Sequence, residues 1–382
     1  MIGPARTDTS LIGRWWWTVD RLTLGAVGLL MAVGMILVVA ASPAVAVRIG
    51  TDSFHFVERQ ALFLVPAAGV LLAASLLSPI GVRRAGLAAF GLALALMVAT
   101  LLWGPLVNGA HRWLEIEGIT FQPSELAKPG FAVVTAWLLA MHQRQADWRY
   151  GAFAALLLIA VLVLLAFQPD YGMAAVVASV WFGQAFLAGL PLVWVAIAIV
   201  AGASAVSAAY VFVPHVTERI DRFLYPGSGE NFQVETALNA FAAGGPFGRG
   251  PGEGVVKNVL PDAHTDFIFA VVGEEFGMVA CILIAAAFAF VVLRGLLRLL
   301  REPDYFVLLA GSGLLVQFGL QAAVNMGVNL RLLPAKGMTL PFLSYGGSSL
   351  LALALGMGFV LALTRRRVTD LEARWLLGRA PA

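Results

Sequence analysis

The amino-acid sequence predicts an all-α polytopic membrane protein with ten transmembrane helices and long loops on one side. Three observations carry this. The 382 residues are 60% hydrophobic and only 12% charged, about half the charge of a soluble domain, and the mean hydropathy is +0.86. Apolar runs of about 18 residues recur along the chain, and each is long enough to cross a hydrocarbon core as a helix. No segment shows the alternation of apolar and polar residues that a membrane β-barrel needs.

Residues 1–21 are polar and carry Arg6, Arg14 and Arg21, with Trp15, Trp16 and Trp17 reading as an interfacial anchor. The first run, Leu22 to Val47, ends in Ala44-Val45-Ala46, which mimics a signal-peptidase site. Its apolar core exceeds the roughly 7–15 residues of a signal sequence, so an uncleaved helix is expected. Nine further runs follow at about 60–77, 85–103, 125–141, 152–167, 172–187, 190–213, 266–293, 306–328 and 342–363.

An even count of helices puts both termini on one side. Arg83-Arg84, Arg144 with Arg149, and Arg365-Arg366-Arg367 then fall on that same side, which the positive-inside rule assigns to the cytoplasm. The expected organisation is a cytoplasmic segment 1–21, a membrane domain 22–364 and a cytoplasmic tail 365–382. The opposite face receives the loops 104–124 and 214–265, the Gln168-Pro169-Asp170 turn and the loop 329–341. Long loops on a compact bundle carry function or are disordered, and the aromatic residues of 214–265 argue for packing. The single cysteine, Cys281, excludes an intrachain disulfide and a cysteine metal cluster, and reads as a buried hydrophobe. A net charge of +3 gives no reason to expect a nucleic-acid partner.

The residues able to carry chemistry gather on the loop face. Asp266 stands where the glycine-rich interval Gly244–Gly254 and its polar continuation meet an apolar run. It is either a helix N-cap or a general base at the membrane edge. Glu274 and Glu275 follow about 12 Å further along a continuous helix, where acids need a polar cavity or a cationic partner such as Lys128. Glu125 and Lys128, three apart, form either a local salt bridge or a place for a phosphate. Lys336 lies between Pro334 and Pro341, and Ser344 opens the Ser-Tyr-Gly-Gly-Ser-Ser stretch before the last helix. That stretch lacks the spacing of a nucleophile elbow. The glycine series fits neither dinucleotide nor Walker spacing and is expected to act as a hinge or a backbone bed for a polar ligand. His264 and Asp266 form an H-x-D pair that hydrogen bonding explains better than a metal. Arg59, Arg112, Lys128, Arg219, Arg222, Arg249, Lys257, Arg331 and Lys336 all fall on the loop face, against the topology bias, which suggests an anionic ligand there.

The stretches Arg331–Ser349 (RLLPAKGMTLPFLSYGGSS) and Leu260–Phe269 (LPDAHTDFIF), the latter followed by Gly-Glu-Glu, closely resemble signatures of the SEDS family (shape, elongation, division and sporulation). So do Gln168–Gly172, Gln122–Lys128, Val57–Gln60 and Arg222–Pro226, and the likeness covers nearly the whole chain. Lys336-Gly-Met-Thr339 is similar to the family's division member rather than its elongation member. Val234-Glu235 departs from the polar residues usual after Gln233.

The resemblance implies a ten-helix bundle that polymerises lipid II into glycan strands at the outer face of the bacterial inner membrane, during septal wall synthesis. Implied partners are a class B penicillin-binding protein that cross-links the strands, and other membrane proteins of the division machinery. The family's essential loop aspartate falls on Asp266 and an important loop tryptophan on Trp113. Under this reading Asp266 takes the proton of the acceptor 4-hydroxyl while lipid pyrophosphate leaves. Lys128, Arg222 and Lys336 stabilise the pyrophosphate, with Glu125 and Ser344 completing the substrate site. No cofactor is dictated, and a divalent cation (Mg or Mn) could share the electrostatic work. Two other readings use the same residues: a lipid II flippase with Glu274, Glu275 and Lys128 along a crossing path, and a non-catalytic division scaffold.

Overall fold

The computed structural model describes residues 10–48, 50–107, 109–116, 119–213, 216–217, 220–221, 232–334 and 337–366. Each of the ten apolar runs is a helix. They are α2 (Arg21–Arg48), α3 (His55–Ser75), α4 (Pro79–Trp103), α5 (Pro123–Gln145), α6 (Trp148–Phe167), α7 (Tyr171–Leu187), α8 (Leu192–Phe212), α10 (Ile268–Leu299), α11 (Tyr305–Asn329) and α12 (Gly347–Leu363). Six of them, α2, α3, α4, α6, α10 and α11, are by themselves long and apolar enough to cross a membrane.

Short polar residues start these helices where the sequence places them. Ser78 accepts the Gly81 N–H at 3.1 Å ahead of Pro79, and Asp147, Asp170 and Asp304 cap α6, α7 and α11. Two further helices lie outside the predicted runs. One is α1 (Leu11–Thr18), which carries the tryptophan triplet. The other, α9 (Phe232–Gly244), replaces part of the expected 214–265 loop. A two-stranded antiparallel hairpin, β1 (Leu114–Ile116) and β2 (Ile119–Phe121), occupies the 104–124 loop with Leu114 opposite Phe121.

Helix α5 is the axle of the bundle: α4, α6, α7, α11 and α12 all pack on it. It is buried along most of its length, so it tolerates Glu125 and Lys128 at one end. Helix α12 packs on α3, and α10 lies between α2, α9 and α11. At one end of the bundle Asp20 bonds Arg294 and Arg298, and the Arg366 N–H donates to the Thr18 carbonyl. The two described chain ends thus meet there, and the long loops meet at the other end.

The glycine-rich interval is explained by α10. Gly277 has φ +79° and ψ −179°, which breaks the helix into two segments. The N–H groups of Met278 and Val279 turn to the carbonyls of Gly245 and Pro246 instead. Gly244 approaches so closely that a Cβ there would sit 1.9 Å from the Gly273 carbonyl oxygen. Buried Glu274 accepts three backbone N–H groups, from Val255 and Val256 at 2.7 Å and Lys257 at 2.8 Å. Glu275 accepts the Gly252 N–H at 3.1 Å and holds the Lys257 ammonium.

Two expectations are therefore corrected. The ion-pair partner of this acidic pair is Lys257, not Lys128, because the loop folds back over the break. The glycine interval, expected as a bed for a ligand, gives its amides to the protein's own groups: Gly248 and Gly250 donate to backbone carbonyls and Gly252 to the Glu275 carboxylate. Glu274, Glu275 and Lys128 are each at most 2% exposed and bonded to protein groups.

Candidate active site

Helix α11 carries Gln317, Gln321, Asn325 and Asn329, one amide every four residues on a single buried face. This ladder builds the site. Asn325 and Asn329 donate to the Asp266 carbonyl at 2.8 and 2.9 Å, and Asn329 Oδ1 accepts the Ala270 N–H at 3.2 Å. The amides thus serve the start of α10, which begins at Ile268. Asp266 is not its N-cap and does not share its helical face with Glu274.

The carboxylate of Asp266 is left to line a cavity of about 530 Å³ at the loop end of the bundle. Trp113 and Glu125 line the same cavity, with Arg59, Arg112 and Tyr345. Three separate stretches of chain therefore converge there, bringing together Asp266, Trp113 and Glu125. Arg112 donates to the carbonyls of Gln168 and Pro169 at 2.7 and 2.6 Å, which ties the tryptophan loop to the turn before α7. Arg59 bonds the Tyr345 phenol.

Burial raises the Asp266 carboxyl to about 7, and the neighbouring Asp262 carboxylate pushes the same way. A carboxylate poised near neutrality suits a proton acceptor. His264 goes the other way, down to about 4, because it is buried and lies near Arg48. Its ring packs on Phe56 and Tyr345 at centroid distances of 4.2 and 5.4 Å. It is thus a neutral aromatic wall. Among the described residues no group of three His, Cys, Asp or Glu could hold a metal ion.

Two predicted site residues act behind the cavity. Lys128 is 2% exposed, and its ammonium bonds Glu125 at 2.9 Å and Gln321 at 2.7 Å. It fixes Glu125 in the floor and does not itself reach a ligand, which corrects the expected direct contact with pyrophosphate. Ser344 accepts the Leu340 N–H at 2.8 Å and donates to the Thr265 carbonyl at 2.5 Å, so it pins the Asp266 loop and does not face the cavity. Arg222 and Lys336 lie outside the described residues. Arg59 and Arg112 are the cations on the cavity wall, and sequence reasoning counted them only among the loop-face charges. The four-residue spacing of the amides in an apolar helix was the available signal for the ladder, and it was missed.

The comparisons agree with this architecture. The family model described as "Cell cycle protein", which groups FtsW, RodA and SpoVE, matches residues 20–369. A Caulobacter vibrioides protein named "Probable peptidoglycan glycosyltransferase FtsW" is 43% identical over 365 residues, covering 95% of this chain and 93% of that protein. One chain of a structure described as showing coordination of polymerization and crosslinking by a peptidoglycan synthase complex superimposes with a TM-score of 0.75 at 29% identity. It covers 91% of this chain and 98% of that one. The Thermus thermophilus rod shape determining protein RodA does so with a TM-score of 0.66, also at 29% identity, over 91% and 97% of the two chains. With the family model spanning nearly its whole length, the chain belongs to the FtsW, RodA and SpoVE family of cell cycle proteins, the SEDS family.

Proposed function

We propose that this chain is a peptidoglycan glycosyltransferase that polymerises lipid II into glycan strands for septal wall synthesis. Asp266 is its general base. The reaction class rests on relatives of nearly full coverage that bear that activity in their names. The observation that carries the residue assignment is a carboxylate raised to about 7 on the wall of a cavity that also holds Arg59 and Arg112.

In this reaction the acceptor sugar's 4-hydroxyl gives its proton to Asp266. The oxygen forms a bond to the anomeric carbon of the donor chain. The bond from that carbon to the phosphate oxygen breaks, and lipid pyrophosphate leaves with the electron pair. Arg59 and Arg112 meet the pyrophosphate, and Arg222 and Lys336, which the sequence singles out, are further candidates for it. Trp113 offers a flat apolar face to the sugar. The cavity opens on the periplasmic side, with both termini cytoplasmic. The product strand passes to a class B penicillin-binding protein, in keeping with the polymerization and crosslinking described for the synthase complex. No step is assigned to a metal.

The test is polymerisation of lipid II by the purified chain together with its class B partner. Asp266→Ala should lower the rate by about 10²-fold or more while leaving the partner complex intact. Glycan made at the wild-type rate by the variant would remove Asp266 from the reaction.

A further inference from the structure

The end of the bundle opposite Asp266 holds a second polar cavity, of about 320 Å³. The α1–α2 junction forms one wall, from Trp17 to Leu22. Arg294 and Arg298 near the end of α10 form another, and Arg366 closes it after α12. The lining has four arginines, Arg21, Arg294, Arg298 and Arg366, against one carboxylate, Asp20. Four positive charges less one negative leave an excess of three.

The site is built, not a loose basic fringe. Asp20 is 2% exposed, and its two oxygens take the Nε and an Nη of Arg294 at 2.8 and 2.9 Å. Arg298 Nε reaches the same carboxylate at 3.1 Å, and its Nη1 donates to the Thr364 carbonyl at 3.3 Å. One buried anion thus aims two guanidinium groups. Arg21 is held over the rings of Trp16 and Trp17, 4.9 and 4.5 Å from their centroids. Arg366 has no carboxylate partner among the described residues.

The depth is that of lipid head groups. Tryptophans favour the membrane–water boundary. Leu11 and Ile12 of α1 are 74% and 68% exposed, as in a helix lying in that boundary. Leu22, in the cavity wall, and Leu297, beside Arg298, are also exposed. A ligand for this place carries a phosphate for the guanidinium groups and acyl chains for the leucines. We propose that the cavity binds the phosphate of an anionic phospholipid head group, and that Arg21 and Arg366 are the contacts not committed to Asp20. Arginine suits a phosphate because its planar fork donates two parallel hydrogen bonds.

Native mass spectrometry of the purified full chain tests this, with titrations of phosphatidylglycerol and of phosphatidylcholine bearing the same acyl chains. The wild type should retain one phosphatidylglycerol about tenfold more tightly than phosphatidylcholine, as charge-assisted pairing requires. Arg21→Gln/Arg366→Gln should lose that preference with its helix content unchanged. Millimolar inorganic phosphate should not displace the lipid. Equal retention of both lipids, or an unchanged preference in the double variant, would overturn the proposal. Displacement by inorganic phosphate would overturn the lipid assignment in favour of a soluble anion. Should the double variant unfold, Arg366→Gln alone carries the comparison, because its side chain lies outside the Asp20 cluster.

Discussion

Asp266 should make both rate and stability depend on pH, in opposite senses. Its carboxyl stands at about 7 in place of the ordinary 3.8. As a base it works only when ionised. About a tenth of it is ionised at pH 6 and about nine tenths at pH 8, so polymerisation should rise roughly tenfold between them. The fold, by contrast, favours the neutral form. Stability from that form is fully present below about pH 3.8 and is lost as pH rises through about 7. Moving a carboxyl that far corresponds to at most about 4 kcal/mol, reduced here because Asp266 keeps contact with the open cavity. Asp266→Asn removes the charge without changing shape. It should unfold at a higher temperature than wild type at pH 8, and the gap should shrink toward pH 5. Asp262→Asn should shift the rate profile to lower pH, since Asp262 is the second cause of the rise. Thermal unfolding followed by tryptophan fluorescence, with polymerisation rates across the same pH range, reads both effects. A rate that is flat from pH 6 to 8, or an Asn variant no more stable than wild type at pH 8, would refute the reasoning.

Three structural predictions accompany it. Glu274→Ala leaves three backbone N–H groups without their acceptor, the Lys257 N–H buried and those of Val255 and Val256 partly buried. At about 1–3 kcal/mol for each unsatisfied donor, it should cost several kcal/mol and free the 250–257 loop, seen as faster proteolysis there. Gly277→Ala sets a Cβ 2.4 Å from the Gly248 nitrogen at a φ of +79°. It should destabilise by more than about 2 kcal/mol, visible as a lower unfolding temperature and poor yield. Asn325→Ala removes the bond to the Asp266 carbonyl and the one to Met338. It should lower kcat about tenfold or more through misplacement of the base, with little change in KM for lipid II.

How much of this was legible in the sequence follows from the range of the interactions. The ten apolar runs are helices because bilayer-length hydrophobicity is a local property, and the capping Ser and Asp residues sharpen their starts. The α9 helix reads as loop in the sequence, although its apolar residues carry a helical signal. Val234, Ala237, Phe241 and Gly244 are buried at helical spacing, with polar residues between them. The β1–β2 hairpin, with three residues per strand, is too short to show a period. Asp266 and Glu125 were legible as charged residues at the edges of apolar runs and Trp113 came from motif likeness, and the cavity joins all three. What failed was pairing at a distance. Nothing near Lys128 in the chain announces Gln321, and nothing near Glu275 requires Lys257. The break at Gly277 brings the glycine loop over the acidic pair, whereas a continuous helix would have left those carboxylates seeking another cation.

Separating binding from turnover in Asp266→Asn tests the central claim most directly. The purified variant, with its class B partner, should bind lipid II within about threefold of wild type, because the cations and Trp113 are untouched, and should make glycan about 10²-fold or more slowly. Glycan production by that variant at a rate close to wild type, or loss of binding in proportion to loss of product, would contradict the account.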